Sequence, residues 1–252
     1  MPRRKNIPTA IFHERFAVAQ GNETYGDCCP CTLSLLLDQG TDSQSPHRGA
    51  LTIWPRQPIQ FEGLDINEPI ALRLPLEIIE SIDYATDTIE GIPSTIRNHI
   101  AMRHAARREA VAITLTVKMS APGCVIVPKN VSLLTPMDHD RADALAFRRL
   151  CEATEIQLYI HANDAAEVPE TALNLFSALA QKKGMLASKP SDLRRMYKNR
   201  GARETTWKIL NVSDPPPAYP HQPQRSTGKR TREGTNQILH ISFPLFPIRP
   251  VF

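Results

Sequence analysis

The sequence predicts an α+β fold in which antiparallel strands and a β-hairpin pack against about four helices, followed by a disordered C-terminal tail. Short apolar segments separated by prolines come first, and stretches with helical spacing follow them. The later strands and helices do not alternate in the regular way of a doubly wound parallel sheet. The high proline content, 22 of 252 residues, indicates irregular segments beside the folded part.

The N-terminal part, residues 1–48, is predicted to be poorly ordered, and residues 49–211 are predicted to form a globular domain. The domain opens with short apolar segments between prolines, a spacing typical of an antiparallel meander. The predicted strands are residues 50–54, 59–62 and 70–74.

Two helices are predicted next, because apolar residues then recur at roughly every third or fourth position. Leu76, Ile79 and Ile82 follow this spacing, with acidic residues between them. The first helix is expected to end near Gly91. The second is expected to span residues 94–108.

The second half of the domain is predicted to contain a hairpin, a further strand and two helices. Residues 111–117 alternate apolar side chains with threonines, and a turn sequence joins them to the apolar residues 124–127, which predicts the β-hairpin. The remaining predicted elements are a helix beginning at Asp138 or Asp140, a strand over residues 156–160, and a helix between Pro169 and Gly184.

The charge of the chain is unevenly distributed. Residues 182–232 contain 13 Lys or Arg and 3 Asp or Glu, whereas the rest of the chain contains 17 basic and 23 acidic residues. A mildly acidic body with a basic tail is typical of proteins whose tail binds nucleic acid, anionic lipid or an import receptor. No run approaches the ~18 apolar residues of a membrane span. No apolar signal core follows the basic residues 1–5, so we expect a protein of the nucleus or cytoplasm that is not secreted and has no membrane partner.

The cysteine cluster Cys28-Cys29-Pro30-Cys31 has three interpretations. A C-x-P-C pattern that opens a helix resembles the redox motif of thioredoxin-like proteins, where the helix N-terminus stabilises the thiolate of Cys28. Cys28 and Cys31 also have the spacing of a zinc-ligand pair, although the sequence has no second C-x-x-C. Ordinary thiols in a loop are the interpretation we favour, and no cofactor is predicted. The odd count of five cysteines argues against a disulfide framework.

The triplet Asp138-His139-Asp140 has catalytic potential, because two carboxylates beside an imidazole can bind a metal ion or act as a base. Its position at a predicted helix start favours a capping role instead. No G-x-S-x-G, H-E-x-x-H, Walker or G-x-G-x-x-G pattern occurs. The sequence therefore predicts no catalytic residue and favours a protein that is not an enzyme.

The second predicted helix is rich in basic residues. A helix that reads DNA presents such residues on one side, together with Asn or Gln for base edges, whereas these lie on more than one face. We therefore favour a solvated surface over a nucleic-acid contact. The nucleic-acid-binding candidates are Arg97, Arg103, Arg107 and Arg108, with His99 on the same helix.

The tail, residues 212–252, contains two motifs that each indicate a class of partner. Pro216, Pro217 and Tyr219 form a P-P-x-Y motif, the pattern of the commonest WW-domain ligands. Prolines hold such a segment in polyproline II, so that little entropy is lost on docking. The second motif has the pattern of a nuclear import signal, and its basic residues are Lys229, Arg230 and Arg232.

Several stretches between residues 75 and 232 resemble an uncharacterised protein family of filamentous fungi. The similar stretches are residues 125–130, 150–154 and 157–160, the P-P-P-x-Y segment and the G-K-R-x-R segment. The resemblance implies an α+β body with a proline-rich basic tail, and it implies no activity or ligand.

Together, these features predict a non-enzymatic intracellular interaction or regulatory protein, whose tail offers a WW-domain ligand and a nuclear import signal. One alternative is a nucleic-acid-binding protein that uses the basic tail. The other is a thiol redox or zinc-binding protein at Cys28 and Cys31.

Overall fold

A computed structural model describes residues 9–21, 27–38, 45–65, 67–103, 111–162, 170–190 and 192–213. The chain divides into two units, residues 1–214 and 215–252, and the second unit lies outside the described residues. The described part combines a large sheet with helices, which confirms the mixed composition and the antiparallel strands expected from the sequence. It contains three α-helices rather than four.

In the part of the chain that the structure describes, ten strands form one sheet, and only the pairing of β3 with β9 is parallel. The path through the sheet is β10-β7-β4-β3-β2-β1-β8-β6-β5. The strands are β1 (Thr9–Gly21), β2 (Cys28–Leu37), β3 (His47–Pro55), β4 (Ala71–Leu74), β5 (Ile79–Thr88), β6 (Val111–Met119), β7 (Cys124–Pro128), β8 (Glu155–His161), β9 (Leu186–Ser188) and β10 (Ala202–Thr205). The helices are α1 (Ser94–Arg103), α2 (Arg141–Glu152) and α3 (Glu170–Ala180).

Strands β4 to β7 form one long antiparallel ribbon that bends in the middle. Leu72 pairs with Val125 in the first half, and Ile82 pairs with Val117 in the second half. The link from β6 to β7 can reach about 18 Å when fully extended. In a flat sheet these two strands, six positions apart, would be separated by about 29 Å. The sheet therefore curls around its apolar interior.

The predicted hairpin of residues 111–117 with residues 124–127 is wrong. Strand β6 pairs with β5 and β8, whereas β7 pairs with β4 and β10, so the two strands are successive parts of the bent ribbon. Gly123 lies at the bend, where a Cβ atom would stand only 2.7 Å from the Arg73 carbonyl oxygen of β4. The glycine of the turn sequence thus allows two strands to approach closely and does not form a hairpin loop.

The helix predicted from Leu76, Ile79 and Ile82 is also wrong. These residues form a short 3-10 helix, Leu76–Ile78, followed by strand β5. A β-bulge between Ile79 and Ser81 shifts the alternation by one residue, so that Ile79 and Ile82 are both buried. The bulge therefore reproduces the three-residue spacing of a helix within a strand.

The N-terminal segment predicted to be poorly ordered contains two strands from the middle of the sheet, β1 and β2, which pair along most of their length. Consecutive residues of β1 are buried, because apolar groups cover both faces of the strand. The local sequence lacks the alternation of a half-buried strand, and for this reason the pattern does not reveal it. The buried run consists of Phe16, Ala17, Val18 and Ala19.

The two faces of the sheet are covered by different elements. Helices α2 and α3 contribute Phe147 and Phe176 to the large inner core. Helix α1 packs on the outer face, where Ile96 and Ile100 contact a cluster that includes Phe16. This arrangement places α1 and α2 on either side of the beginning of β2.

Candidate functional site

The cysteine cluster lies in strand β2, so its side chains alternate between the two faces of the sheet. Cys29 and Cys31 belong to the inner core, whereas Cys28 packs with the outer cluster beneath α1. No bulge interrupts the pairing of this part of β2 with β1. The interpretation of C-x-P-C as a helix opening is therefore wrong. The strand also directs Cys28 and Cys31 to opposite faces, which opposes their binding one zinc ion at a sulfur distance of about 2.3 Å.

The electrostatic environment of the thiols favours the protonated form. Burial raises the pKa of the half-buried Cys28 above its ordinary value. Burial, with a further contribution from the charge of Asp143, raises the pKa of Cys29 to about 12. Burial also raises the pKa values of Cys31 and Cys151 well above the ordinary range. A redox or catalytic thiol needs a lowered pKa, so these cysteines have the character of structural thiols.

We expect two of the five thiols to react in the native protein and all five to react after unfolding. Cys28 and Cys124 are partly exposed, whereas Cys29, Cys31 and Cys151 are buried. The raised pKa values make even the two accessible thiols slow at pH 8. Titration with a chromogenic disulfide reagent, with and without guanidinium, measures both numbers. Rapid modification of Cys29 or Cys31 in the native state would contradict this assignment.

A cavity of about 420 Å³ opens where β2 begins and β3 ends. Its volume lies within the range of small-molecule sites. Cys28 and Ile59 form part of its apolar wall, His99 reaches it from α1, and Asp143 reaches it from the first turn of α2. Arg56 completes the charged part of the lining. Groups of both charges thus face one recess with a mixed polar and apolar lining.

Arg56 is held at the cavity by contacts on two sides. Its guanidinium carbon lies 4.9 Å from the centroid of the Phe16 ring, a cation–π arrangement. Its backbone N–H donates to the Pro30 carbonyl at 3.0 Å. Within the described part of the chain, neither Arg56 nor Asp143 forms an ion pair. The cavity therefore offers a cationic and an anionic group to a ligand.

Cys28 and His99 line the same cavity, but no hydrogen bond joins them in the described part of the chain. The raised pKa of Cys28 opposes a thiolate–imidazolium pair. Sequence reasoning considered these two residues and missed Arg56 and Asp143 as members of a site. The four residues come from β2, α1, α2 and the segment after β3, and no local motif signals their meeting.

The triplet Asp138-His139-Asp140 forms a 3-10 helix that leads into α2. The Asp140 side chain does not cap α2, so the capping prediction is wrong for this residue. Its Oδ2 atom instead accepts a hydrogen bond from the Gln60 backbone N–H at 2.7 Å and lies 3.6 Å from His139 Nε2. The carboxylate therefore ties this turn to the segment after β3. His139 lies outside the lining of the cavity.

The basic residues of α1 do not assemble into one described surface. Arg97 Nη2 lies 3.4 Å from the Ile92 carbonyl oxygen, to which it donates, and Arg97 Nε is buried without a partner in the described residues. The backbone of Arg103 ends α1, but its side chain lies outside the described part, as do Arg107 and Arg108. The structure therefore leaves their nucleic-acid role as a prediction.

Several basic residues in the first half of the 182–232 stretch are ion-paired within the body. Each lies beside an aspartate or glutamate, so the charge available to an anionic partner is smaller than the sequence count suggests. The pairs are Lys189 with Asp38 at 3.1 Å, Arg195 with Asp192 at 3.0 Å, Lys198 with Asp65 at 3.7 Å, and Arg200 with Glu68.

The two tail motifs and the apolar C-terminal end lie outside the described residues. Pro216, Pro217 and Tyr219 therefore remain predicted WW-domain contacts. The same holds for the predicted import signal of Lys229, Arg230 and Arg232.

Comparisons with family models, curated proteins and solved structures gave no match to the chain. The resemblance to a filamentous-fungal family stays a prediction. None of the helices in the described residues is long and apolar enough to cross a membrane. Those residues also contain no cluster of three or more His, Cys, Asp or Glu side chains placed to hold a metal ion.

Proposed function

We propose that the chain is a non-enzymatic intracellular interaction protein, whose tail recruits a WW-domain protein and carries a nuclear import signal. The observation that carries this proposal is the position of the P-P-x-Y motif in the sequence, shortly after the last described core residues. Leu210 and Val212 are buried in the inner core, and Arg148 donates a hydrogen bond to the Val212 carbonyl. Pro216 follows only four residues after Val212 in the sequence. The motif thus follows closely, in the sequence, on residues that are buried in the core.

The chemistry of the body supports this proposal over the thiol alternative. Cys28 and Cys31 lie on opposite faces of β2, and burial raises the pKa values of both. A thiol redox centre requires the opposite shift, and a zinc pair requires a common face. Metal analysis of the purified protein tests whether Cys28 and Cys31 nevertheless bind zinc. Stoichiometric zinc lost in a Cys28→Ser variant would revive it.

The WW-domain proposal is tested with a peptide that spans residues 212–224. We expect saturable binding to at least one member of a WW-domain panel, and we expect a Tyr219→Ala peptide to bind at least tenfold more weakly. An Arg225→Ala peptide, extended to residue 226, controls for charge outside the motif. Equally weak binding by the wild-type and Tyr219→Ala peptides would contradict the proposal.

The import proposal is tested with the full chain fused to tandem fluorescent proteins, which are too large to diffuse into the nucleus. We expect nuclear accumulation that a Lys229→Ala/Arg230→Ala variant loses, because an import receptor must contact both cations. A Lys182→Ala/Lys183→Ala variant removes the same charge from exposed positions at the end of α3 and is the matched control. An unchanged distribution of the tail variant would contradict this role.

Nucleic-acid binding by the basic tail is the second candidate, favoured by the net charge of residues 182–232. The ion pairs at Lys189, Lys198 and Arg200 weigh against a contribution from the body. If the tail neutralises phosphates, affinity must fall steeply as salt rises. Fluorescence anisotropy with single-stranded and duplex DNA and RNA at low salt measures this, and absence of binding there would reject the candidate.

A further inference from the structure

Strand β5 lies at one end of the strand path and, among the described residues, pairs only with β6. Two hydrogen bonds show which residues of β6 direct their backbone groups toward β5. The Ser120 N–H donates to the Ile78 carbonyl at 2.8 Å, whereas the Met119 N–H donates to the Thr154 carbonyl, on the side of β8, at 2.8 Å. Successive residues of an antiparallel strand direct their backbone N–H and C=O groups alternately to one side of the strand and to the other. The even-numbered residues of β6 therefore bond toward β5.

The register then shows which residues of β5 direct their backbone groups toward β6 and which direct them away from the sheet. Asp83 pairs with Thr116 and Asp87 pairs with Ala112, both even-numbered residues of β6. The backbone groups of these two aspartates, and of Ala85 between them, therefore point toward β6. The backbone N–H and C=O groups of the intervening residues point away from the sheet. The outward-pointing residues are Ile82, Tyr84, Thr86 and Thr88.

Helix α3 lies along the first part of this edge, where the Tyr84 hydroxyl is 2.9 Å from Asn174 Oδ1 and 3.2 Å from Glu170 Oε1. The Ser177 hydroxyl donates to the Ile82 carbonyl at 2.6 Å. Beyond Ile82, no group in the described ranges forms a hydrogen bond with the outward backbone of Tyr84, Thr86 or Thr88. Natural edge strands are usually blocked by a lysine, a proline or a short length. Strand β5 has ten residues and contains neither lysine nor proline, so its second half can receive another strand.

The same half of β5 is acidic. Asp83 and Asp87 are exposed on one face, and two further exposed carboxylates lie nearby, Glu80 near the start of β5 and Glu90 just after its end. In the described residues, no lysine or arginine lies within ion-pair distance of these four carboxylates. Opposite charges directly across a strand pair are favourable and like charges are unfavourable. A strand added here would therefore be selected for positive charge.

The charges also argue against a second copy of the chain as the occupant. In a symmetric antiparallel pairing centred on Ala85, Asp83 of each copy would stand opposite Asp87 of the other. Such a pairing places two aspartates directly opposite each other at each of these two positions, which is unfavourable. A peptide with two cations avoids this repulsion.

We infer that the outer edge of β5, from Tyr84 to Thr88, binds an extended basic peptide as an added antiparallel strand. The peptide forms main-chain hydrogen bonds with the outward groups of Tyr84, Thr86 and Thr88, as in other cases of strand addition. Because Asp83 and Asp87 are four residues apart on one face, the peptide carries Lys or Arg four residues apart. β-branched residues between the two cations suit the extended conformation.

The test uses the full chain and the capped peptide Thr-Lys-Val-Thr-Val-Lys-Thr, which has this spacing. We expect saturable binding at low salt, with shifts of the backbone amide resonances of Tyr84, Thr86 and Thr88. An Asp83→Asn/Asp87→Asn variant should bind the peptide about tenfold more weakly, since two cross-strand charge pairs are lost. A Glu62→Gln/Asp138→Asn variant removes the same charge at exposed positions elsewhere and should bind like the wild type.

Two further measurements separate strand addition from simple charge attraction. Thr86→Pro removes an outward N–H without touching the β5–β6 ladder, so the fold should persist and binding should be lost. A peptide N-methylated at alternate amides should also fail to bind, and this control needs no change in the protein. Equal binding of the native and N-methylated peptides, or of a peptide with Glu in place of both Lys, would overturn the inference. Absence of saturable binding by the native peptide would overturn it as well.

Discussion

Replacing Phe147 with alanine is expected to lower the free energy of unfolding by about 3–5 kcal/mol. Phe147 is fully buried on the inner face of α2, beside Leu150 and Cys151 in the same core. The curled sheet beneath it is held by hydrogen bonds between strands, so it cannot collapse into the space that the phenyl ring vacates. The loss therefore combines the transfer free energy of the ring with the cost of a cavity.

Urea denaturation followed by tryptophan fluorescence measures this change. Leu175→Ala on α3 is the matched control, because its side chain is 45% exposed, and we expect its effect to stay within about 0.5 kcal/mol. The slope of the transition should be the same for the wild type and both variants. A loss below about 1 kcal/mol for Phe147→Ala would contradict the packing of α2 on the core.

Replacing Glu204 with alanine is expected to destabilise the fold by about 2–4 kcal/mol. The side chain of Arg73 is only 6% exposed, and its Nη1 atom lies 2.5 Å from Glu204 Oε1. Its Nη2 atom donates to the Lys189 carbonyl. This ion pair links β4 to β10 across the intervening strand β7. Removing the carboxylate leaves a buried cation with one partner fewer, which is the costly way to break such a pair.

Replacing the other member of the pair, Arg73→Met, should lower the free energy of unfolding by less, about 1–2 kcal/mol, although Arg73 is the more buried residue. Methionine fills a similar volume without charge, and the Glu204 carboxylate, 35% exposed, can be hydrated by solvent. Urea denaturation of the two variants shows directly which of them loses more free energy of unfolding. A larger loss for Arg73→Met, or losses below about 0.5 kcal/mol for both, would contradict a desolvated ion pair at this position.

Local sequence patterns predicted those elements whose hydrophobic spacing can be recognised within a short stretch of residues. Strand β8 and helices α2 and α3 lie close to where alternation or helical spacing placed them, because one face of each is buried against the core. Strand β5 shows the limit of this reasoning, since its bulge gives Ile79 and Ile82 a helical spacing. Strand β1 shows another limit, because burial on both faces removes the alternation.

The curl of the sheet and the cavity depend on contacts that no local pattern encodes. The bent ribbon joins residues near 72 to residues near 125, and this pairing decides that β6 and β7 are not a hairpin. Arg56 and Asp143 meet at the cavity from separate elements, one after β3 and one in α2. The cysteine cluster was visible in the sequence, but the strand that separates Cys28 from Cys31 was not.

The central claim is that recruitment of a WW-domain protein belongs to the tail and not to the body. The most direct measurement is the affinity of one panel-selected WW domain for the full chain and for a chain truncated after Val212. We predict that the full chain binds, that the truncated chain does not, and that both unfold at the same urea concentration, because the buried residues Leu210 and Val212 are kept. Equal affinity of the two chains for the WW domain would contradict the claim.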